Sequence, residues 1–452
     1  MNDVIIIGGG FAGLTAGVSL AQAGCKVRLL EQNPYLGGRA RSFPYAPAGA
    51  VVDNGQHIFM GCYHETLRFL GTLGTADSIR FQPDLMLRFI DRGARATSLT
   101  CPHLPAPWHV LAGVMRSNSF TLAEKLQVLR LGHRLRHADF GPRSEKLSGL
   151  TVDEWMARLG QSQGLRRKLW DLLCIAAINE DPRIAAAAVF EPVLRLALFQ
   201  SPADSRIGLA SRGLSECYTG AASAYIETRG GRVDIGNRVA GLMLIRGGEG
   251  LASGLRCAGV RLSGGEEIEA DAVLSAAPPF QMLSFLPEEA LPLFASLRGM
   301  RASPIVSITL WFDREVTDVD FAGLRGTTVQ WLFNRERIVG SAGHCVSLVI
   351  SGAHEHIARE KEDLLRVAMA DLQDLCPAAR GARLLHSLVL KERFATFSAD
   401  AGALAIRPPA VTPIRGFYLA GDWTDTALPA TIESAVKSGY TAAAEIARGA
   451  LP

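Results

Sequence analysis

The sequence predicts an α/β protein in which a Rossmann-like, dinucleotide-binding domain is interrupted by an inserted α+β substrate domain. Three observations predict it. The chain opens with a strand, a glycine-rich turn, an alanine-rich helix and a second strand. It closes with another strand, glycine turn and helix, also facing phosphate. Between them, helical blocks alternate with stretches that return to β-type patterning. Two phosphate-facing ends of one chain imply that both termini share a domain and that the rest is inserted.

The opening segment is VIIIGGGFAGLTAGVSLAQAGCKVRLLEQ, with a helix starting near Phe11. Gly8, Gly10 and Gly13 have the G-x-G-x-x-G spacing. The first glycine permits the tight turn, the second lets pyrophosphate approach the backbone, and the third allows close helix packing. The helix start then aims free N–H groups and its positive dipole end at the phosphates. Glu31 ends the second strand, where a carboxylate accepts ribose hydroxyls and repels a 2′-phosphate, so the expected ligand is FAD or NAD rather than NADP. LGGRARSF follows, carrying Gly37, Gly38, Arg39 and Arg41 in a loop that either re-enters the nucleotide side or is a solvated basic loop. Next, VVDNGQHIFMGCY sets Asp53, Asn54, Gln56 and His57 between apolar residues. If buried, each of these side chains needs a hydrogen-bonding partner.

Residues 81–205 are expected to be mainly helical, because Thr121 with Glu124 and Thr151 with Glu154 fit the capping box and Gly160 would end the second helix. Over 121–137, Leu122, Leu126, Leu129 and Leu135 are interleaved with Lys125, Arg130, Arg134 and Arg136. Such a helix suits peripheral contact with a membrane or, equally, packing on the domain with a solvated basic face. His133 and His137 lie one turn apart without a HExxH glutamate or a third ligand; they read as surface residues, and no metal is expected. In Asn179-Glu180-Asp181-Pro182 the proline stops the preceding apolar helix, and the acids either end it or face a substrate cavity.

Residues 206–285 read as returning nucleotide-domain chain: a helix over 214–228, strands over 232–235 and 239–245, a hairpin, and the buried strand AVLSAA. Gly248, Gly250 and Gly254 have the wrong spacing for a second fingerprint, with Glu249 where phosphate would lie, so no nicotinamide domain is expected. In the second inserted block, PIVSITLWF and CVSLVIS are strand-like and 355–375 is helical. The expected division is 1–80, 206–285 and 405–452 for the nucleotide domain, and 81–205 and 286–404 for the substrate domain.

A formal charge of +3 over 452 residues, with no dense Lys/Arg tract, argues against nucleic acid as a partner. Apolar content of 48% is high for a soluble protein, yet no uncharged apolar run reaches the length of about 18 that a span requires. The N-terminus has an acid where a signal peptide needs positive charge, which points to a cytoplasmic protein. The eight cysteines are scattered without a CxxC pair and read as free thiols.

The C-terminal stretch GFYLAGDWTDTALPATIESAVKSGYTAAAEIARG reads as a strand over 417–420, a turn at Gly421 and Asp422, an irregular segment, and a helix over 432–448. The fingerprint with its downstream glutamate, GGR and this terminal element together resemble the flavin amine oxidase and carotenoid desaturase superfamily, whose nucleotide domain is of the glutathione-reductase type. More narrowly, DNGQHIFMGCY, AAINEDP and KERFATFSADAGALAIRPP look like the hydroxysqualene dehydroxylase family of hopanoid synthesis, and the resemblance runs essentially end to end. It implies FAD as cofactor, with Gly8, Gly10, Gly13 and Glu31 on the ADP half and Gly38 and Arg39 on the pyrophosphate and flavin approach. It also puts Val239 at the adenine through its backbone, Gly421 and Asp422 at the ribityl or pyrophosphate portion, and the backbone N–H groups of the turn Thr431, Ile432 and Glu433 at the flavin pyrimidine edge.

The reaction it implies is reductive dehydroxylation of an isoprenoid alcohol, hydroxysqualene, to squalene. His57 is the first candidate for positioning or protonating the hydroxyl, with Gln56 beside it, Asp53 orienting it, and Glu180 or Asp181 as alternative acids. A carotenoid-type desaturase would run the flavin in the opposite direction, and a non-catalytic flavin-bearing scaffold is a third reading. Amine oxidation fits less well, since Trp423 has no aromatic neighbour in the segment until Tyr440 to complete an amine-binding cage.

Overall fold

The structure, a computed structural model, describes residues 3–137, 145–246, 254–340 and 343–449. Three distant stretches of chain build one parallel five-stranded sheet, in the spatial order Arg232–Ile235, Lys26–Glu31, Asp3–Ile7, Ala272–Ser275 and Phe417–Leu419. Residues 4–7 of its central strand are all buried, as an apolar run must be when helices cover both faces of a parallel sheet. The helix Phe11–Gln22 packs against the terminal helix Ile432–Gly449. Their close approach needs Gly439, where a Cβ would stand 2.4 Å from the Ala12 carbonyl oxygen.

The expected helix over 214–228 is interrupted. Leu214–Cys217 is a 3₁₀ turn and Thr219–Glu227 the helix proper, because Tyr218 between them leaves helical geometry at φ −151°. That departure buries its ring on Phe11, with centroids 3.8 Å apart, and lets its hydroxyl reach the Gly37 (3.0 Å) and Ala40 (2.8 Å) carbonyls. The GGR loop is thus tied from below.

A second sheet of seven strands runs in the order Leu384–Phe397, Ala302–Phe312, His344–Ser351, Trp331–Asn334, Phe321–Arg325, Met86–Asp91 and Arg95–Thr100. Residues 86–100 therefore correct the mainly helical expectation for 81–205. They form a hairpin whose turn holds Gly93 and Ala94 at positive φ and which buries Leu87 and Phe89 on one face. Farther on the block is helical, and both capping boxes form: Thr121 and Glu124 exchange bonds of 2.8 and 3.3 Å, Thr151 and Glu154 of 3.0 and 3.2 Å. Gly160 follows the second helix at φ +76°. The helix expected over 355–375 begins only at Lys361. Before it the chain turns tightly, with the N–H groups of His356 and Ile357 both on the Ala353 carbonyl and His354 held to Glu180.

Gly248, Glu249 and Gly250, and the side chain of His137, lie outside the described residues. Among the described residues no helix is long and apolar enough to cross a membrane.

Candidate active site

A cavity of about 790 Å³ opens at the carboxyl ends of the parallel strands and continues into the inserted blocks. Its polar end is lined by Gly8, Gly10, Glu31, Gly38, Arg39, Val239, Gly421, Asp422, Thr431 and Ile432, which the fold assembles from three regions of the chain. Gly13 stands just behind them, where a Cβ would lie 1.9 Å from the Gly8 carbonyl oxygen. Gly10 differs: a Cβ there would meet nothing closer than the Gly37 carbonyl oxygen at 4.0 Å, so open space lies beside its backbone. The helix after it has no side-chain cap, leaving its first N–H groups for an occupant.

The remaining polar groups fit a dinucleotide. Glu31 is buried and accepts from the Gly9 N–H (2.8 Å) and from the backbone (2.9 Å) and side chain (2.7 Å) of Asn33, which leaves capacity for one more donor. Arg39 donates to Asp422 at 2.6 Å and to the Ala395 carbonyl at 2.8 Å, joining the GGR loop to the terminal turn. Gly421 is required at φ +139°, since a Cβ would come within 2.5 Å of the Trp423 indole nitrogen. Thr431 caps the terminal helix by accepting from Ser434 N–H at 3.1 Å.

The polar stretch at residues 53–57 finds its partner in Arg335. Asp53 accepts from Ser42 Oγ (2.7 Å), the Leu214 N–H (3.0 Å) and Arg335 Nη1 (2.5 Å), and the same Nη1 reaches Gln56 Oε1 at 2.8 Å. The Asp53 and Arg335 side chains are only 6% and 4% exposed, so this ion pair is out of water. Asp53 thus braces the fold and acts on His57 through its charge, not through a hydrogen bond that the structure shows. His57 faces the cavity and its Nδ1 donates to the Gly55 carbonyl at 2.9 Å. Burial lowers its pKa from the ordinary imidazole value, against the pull of Asp53 and the Gly55 carbonyl, and so favours the neutral ring. In the neutral ring Nδ1–H serves the Gly55 carbonyl and Nε2 is an acceptor, so protonating a bound hydroxyl would require the charged ring.

Glu180 and Asp181 do not line the cavity. Glu180, fully buried, accepts from Ser398 Oγ (2.6 Å), His354 Nε2 (2.8 Å) and the Asp181 N–H (3.0 Å), while Asp181 pairs with Arg183. The cavity is lined instead by Asn179, whose side chain bonds the Ser303 carbonyl, Thr396 and the Gly352 N–H. This turn fastens the end of one helix to two strands of the large sheet and to the residue that follows a third. Beyond it the cavity wall is apolar, with Leu87, Leu99, Val110, Val114, Val128, Leu169, Phe190 and Phe333.

Three supporting side-chain roles escape a sequence reading. Arg335 opens a short helix, a position where a cation opposes the helix dipole; that mismatch was the one signal that a carboxylate must meet it. Glu433 accepts from the N–H groups of Glu65 and Thr66, capping the helix His64–Leu73. Arg407, pushed down to about 10 by burial, donates to the Thr424 and Leu428 carbonyls and holds the irregular segment before the terminal helix. Each partner is remote in sequence or depends on a loop path.

Comparison with known proteins identifies the family. Residues 11–447 match the model of the flavin-containing amine oxidoreductase family. The chain is 29% identical to hydroxysqualene dehydroxylase of Zymomonas mobilis, over 98% of each chain. It is 30% identical to that of Rhodopseudomonas palustris, over 98% of this chain and 97% of the relative. It is also 27% identical to 15-cis-phytoene desaturase of Synechococcus elongatus, over 98% and 96%. Among solved structures, an oxidoreductase from Methanosarcina mazei superposes with a TM-score of 0.74 at 16% identity, covering 97% of this chain and 98% of that one.

Proposed function

Because this chain belongs to the flavin-containing amine oxidoreductase family and is a flavin-dependent oxidoreductase, we propose that it binds FAD and reduces hydroxysqualene to squalene. One observation carries the reading beyond the names of its relatives: the dinucleotide cradle opens into an apolar arm, and a short polar pair, Gln56 and His57, stands in the cavity wall. An isoprenoid alcohol has that same division between hydrocarbon and one hydroxyl.

In this reading Gly8, Gly10, Gly13 and the uncapped helix start take the pyrophosphate, Glu31 the ribose, and the Val239 backbone the adenine. Arg39 with Gly38, and Asp422 with Gly421, hold the middle of the cofactor; Thr431 and Ile432 present helix N–H groups to the pyrimidine edge. When bound and reduced, the flavin would supply the hydride for the new C–H bond, while the C–O bond breaks and the hydroxyl leaves as water with a proton from a site group or solvent. The chain's own residues bind the alcohol, exclude water around the allylic carbon, and hold the hydroxyl beside Gln56 and His57. Residues 1–80, 206–285 and 405–452 act as the nucleotide domain, and 81–205 with 286–404 as the substrate domain.

A second reading, phytoene-type desaturation, draws on the 27% identity to the Synechococcus enzyme. Direction separates the two. Reduced enzyme mixed anaerobically with hydroxysqualene should reoxidise its flavin and give squalene, whereas oxidised enzyme with phytoene or squalene should give no conjugated polyene. Polyene from the second mixture would favour the desaturase and sink the dehydroxylase.

So apolar a substrate partitions into lipid, and in this reading the cytoplasmic enzyme touches a membrane. Trp108 and Met115 on the helix Trp108–Arg116 and Leu122 and Leu126 on the helix Leu122–His137 are exposed, Leu122 by 69%, among Lys125, Arg130 and Arg134. The inward sides of the same helices, Val110, Val114 and Val128, line the cavity. Cosedimentation with anionic vesicles is expected, and the triple variant Trp108→Ser, Leu122→Ser, Leu126→Ser should weaken it by at least about tenfold. Equal sedimentation of variant and wild type would remove these helices from any membrane contact.

A further inference from the structure

We infer that Gln56 and His57 form a preset receptor for a single hydroxyl group, Gln56 donating to its oxygen and His57 accepting its proton, with Arg335 as the positioning residue that fixes the donor. The inference rests on the proposed substrate class and goes further, to which atoms recognise it.

A guanidinium has only donors, so Gln56 must turn its Oε1 toward Arg335 Nη1, 2.8 Å away. Its Nε2 therefore faces away from the arginine. One N–H of that nitrogen has a long contact, 3.4 Å, to the His57 carbonyl, which leaves largely unspent the donor capacity of a residue that lines the cavity. A carbonyl has only lone pairs, so His57 Nδ1, 2.9 Å from the Gly55 oxygen, must carry the proton. In the neutral ring the other nitrogen, Nε2, is then an acceptor. Neighbouring residues thus offer one donor and one acceptor, each with its orientation decided by a partner that can bond in only one sense.

An alcohol is the smallest group that satisfies both, and a hydrocarbon satisfies neither. A site built to hydrogen-bond a hydroxyl discriminates strongly against the analogue lacking it, because its buried polar groups are left unpaired. The receptor would accordingly hold the alcohol more tightly than the deoxygenated product, which aids release of the product after each turnover. Arg335 is tied to the rest of the fold through Asp53, and Asp53 in turn to Ser42 and the Leu214 N–H, so the donor's orientation is set by three elements at once.

The test is equilibrium titration of the oxidised holoenzyme with hydroxysqualene and with squalene, read by perturbation of the flavin spectrum, giving the ratio of the two affinities. Wild type should prefer the alcohol by about 10–100-fold. Gln56→Glu keeps a carboxylate oxygen on Arg335 and so keeps the fold, but has no N–H; it should lower the ratio by about tenfold with squalene affinity unchanged. His57→Phe should lower it similarly. Arg335→Met lets the amide turn over and should also lower the ratio in the folded fraction, whereas a merely structural arginine would change stability alone. A Gln56→Glu enzyme with the wild-type ratio overturns the receptor. Turnover of hydroxysqualene by a wild type that shows no preference for the alcohol overturns it too and leaves the proposed reaction standing. A wild type that neither binds nor converts hydroxysqualene overturns both.

Discussion

Gly10→Val should give a folded protein that has lost its flavin. Gly10 sits at φ −86° and ψ −174°, extended backbone open to a β-branched residue, and the nearest atom to an added Cβ is 4.0 Å away. Nothing in the protein resists the substitution. The valine methyls would instead fill the space beside the uncapped helix start, where a pyrophosphate must approach the backbone. Far-UV circular dichroism should match wild type while bound flavin falls from stoichiometric to undetectable. Gly13→Val is the contrasting case: its Cβ would clash with the Gly8 carbonyl oxygen at 1.9 Å, and the sheet-to-helix turn itself should fail. Full flavin occupancy in Gly10→Val would mean that the phosphates lie elsewhere.

The largest stability effect is expected at the buried pair of Asp53 and Arg335. Arg335→Leu leaves the Asp53 carboxylate without its charged partner, at a cost of about 3–5 kcal/mol, read as a lower urea midpoint at unchanged slope. Asp53→Leu strands the guanidinium and also deprives Ser42 and the Leu214 N–H of an acceptor, so it should cost at least as much. In the double variant Asp53→Leu, Arg335→Leu neither charge is left alone, and its loss should fall short of the two single losses combined by about 0.5–3 kcal/mol. Additive losses would show that the pair is not coupled.

These two sites divide according to how far apart the interacting groups stand in the chain. The turn at Gly8, Gly10 and Gly13, the carboxylate of Glu31, and the strand, turn and helix after residue 416 were legible because their geometry is local: a short window contains the strand, the glycine and the helix start. The capping boxes at Thr121 and Thr151 were readable for the same reason, since donor and acceptor lie three residues apart. Even the return of three separate stretches to one sheet followed from the strand, glycine turn and helix at each end of the chain and the buried apolar runs between them.

What only the folded chain decided were the choices among polar side chains whose partners are remote. Asp53, Gln56 and His57 looked alike as candidates for chemistry, but Arg335, 282 residues from Asp53, claims that carboxylate and turns the Gln56 amide, while the Gly55 carbonyl decides the His57 tautomer. Glu180 was open to the cavity on sequence grounds until Ser398, 218 residues on, and His354 took its oxygens and left Asn179 at the wall. The physical reason is the same in each case. Hydrophobic periodicity and backbone dihedral limits act over one or two turns and are written in neighbouring residues, whereas a buried polar group must be satisfied by whichever donor or acceptor the packing of distant elements brings within about 3 Å.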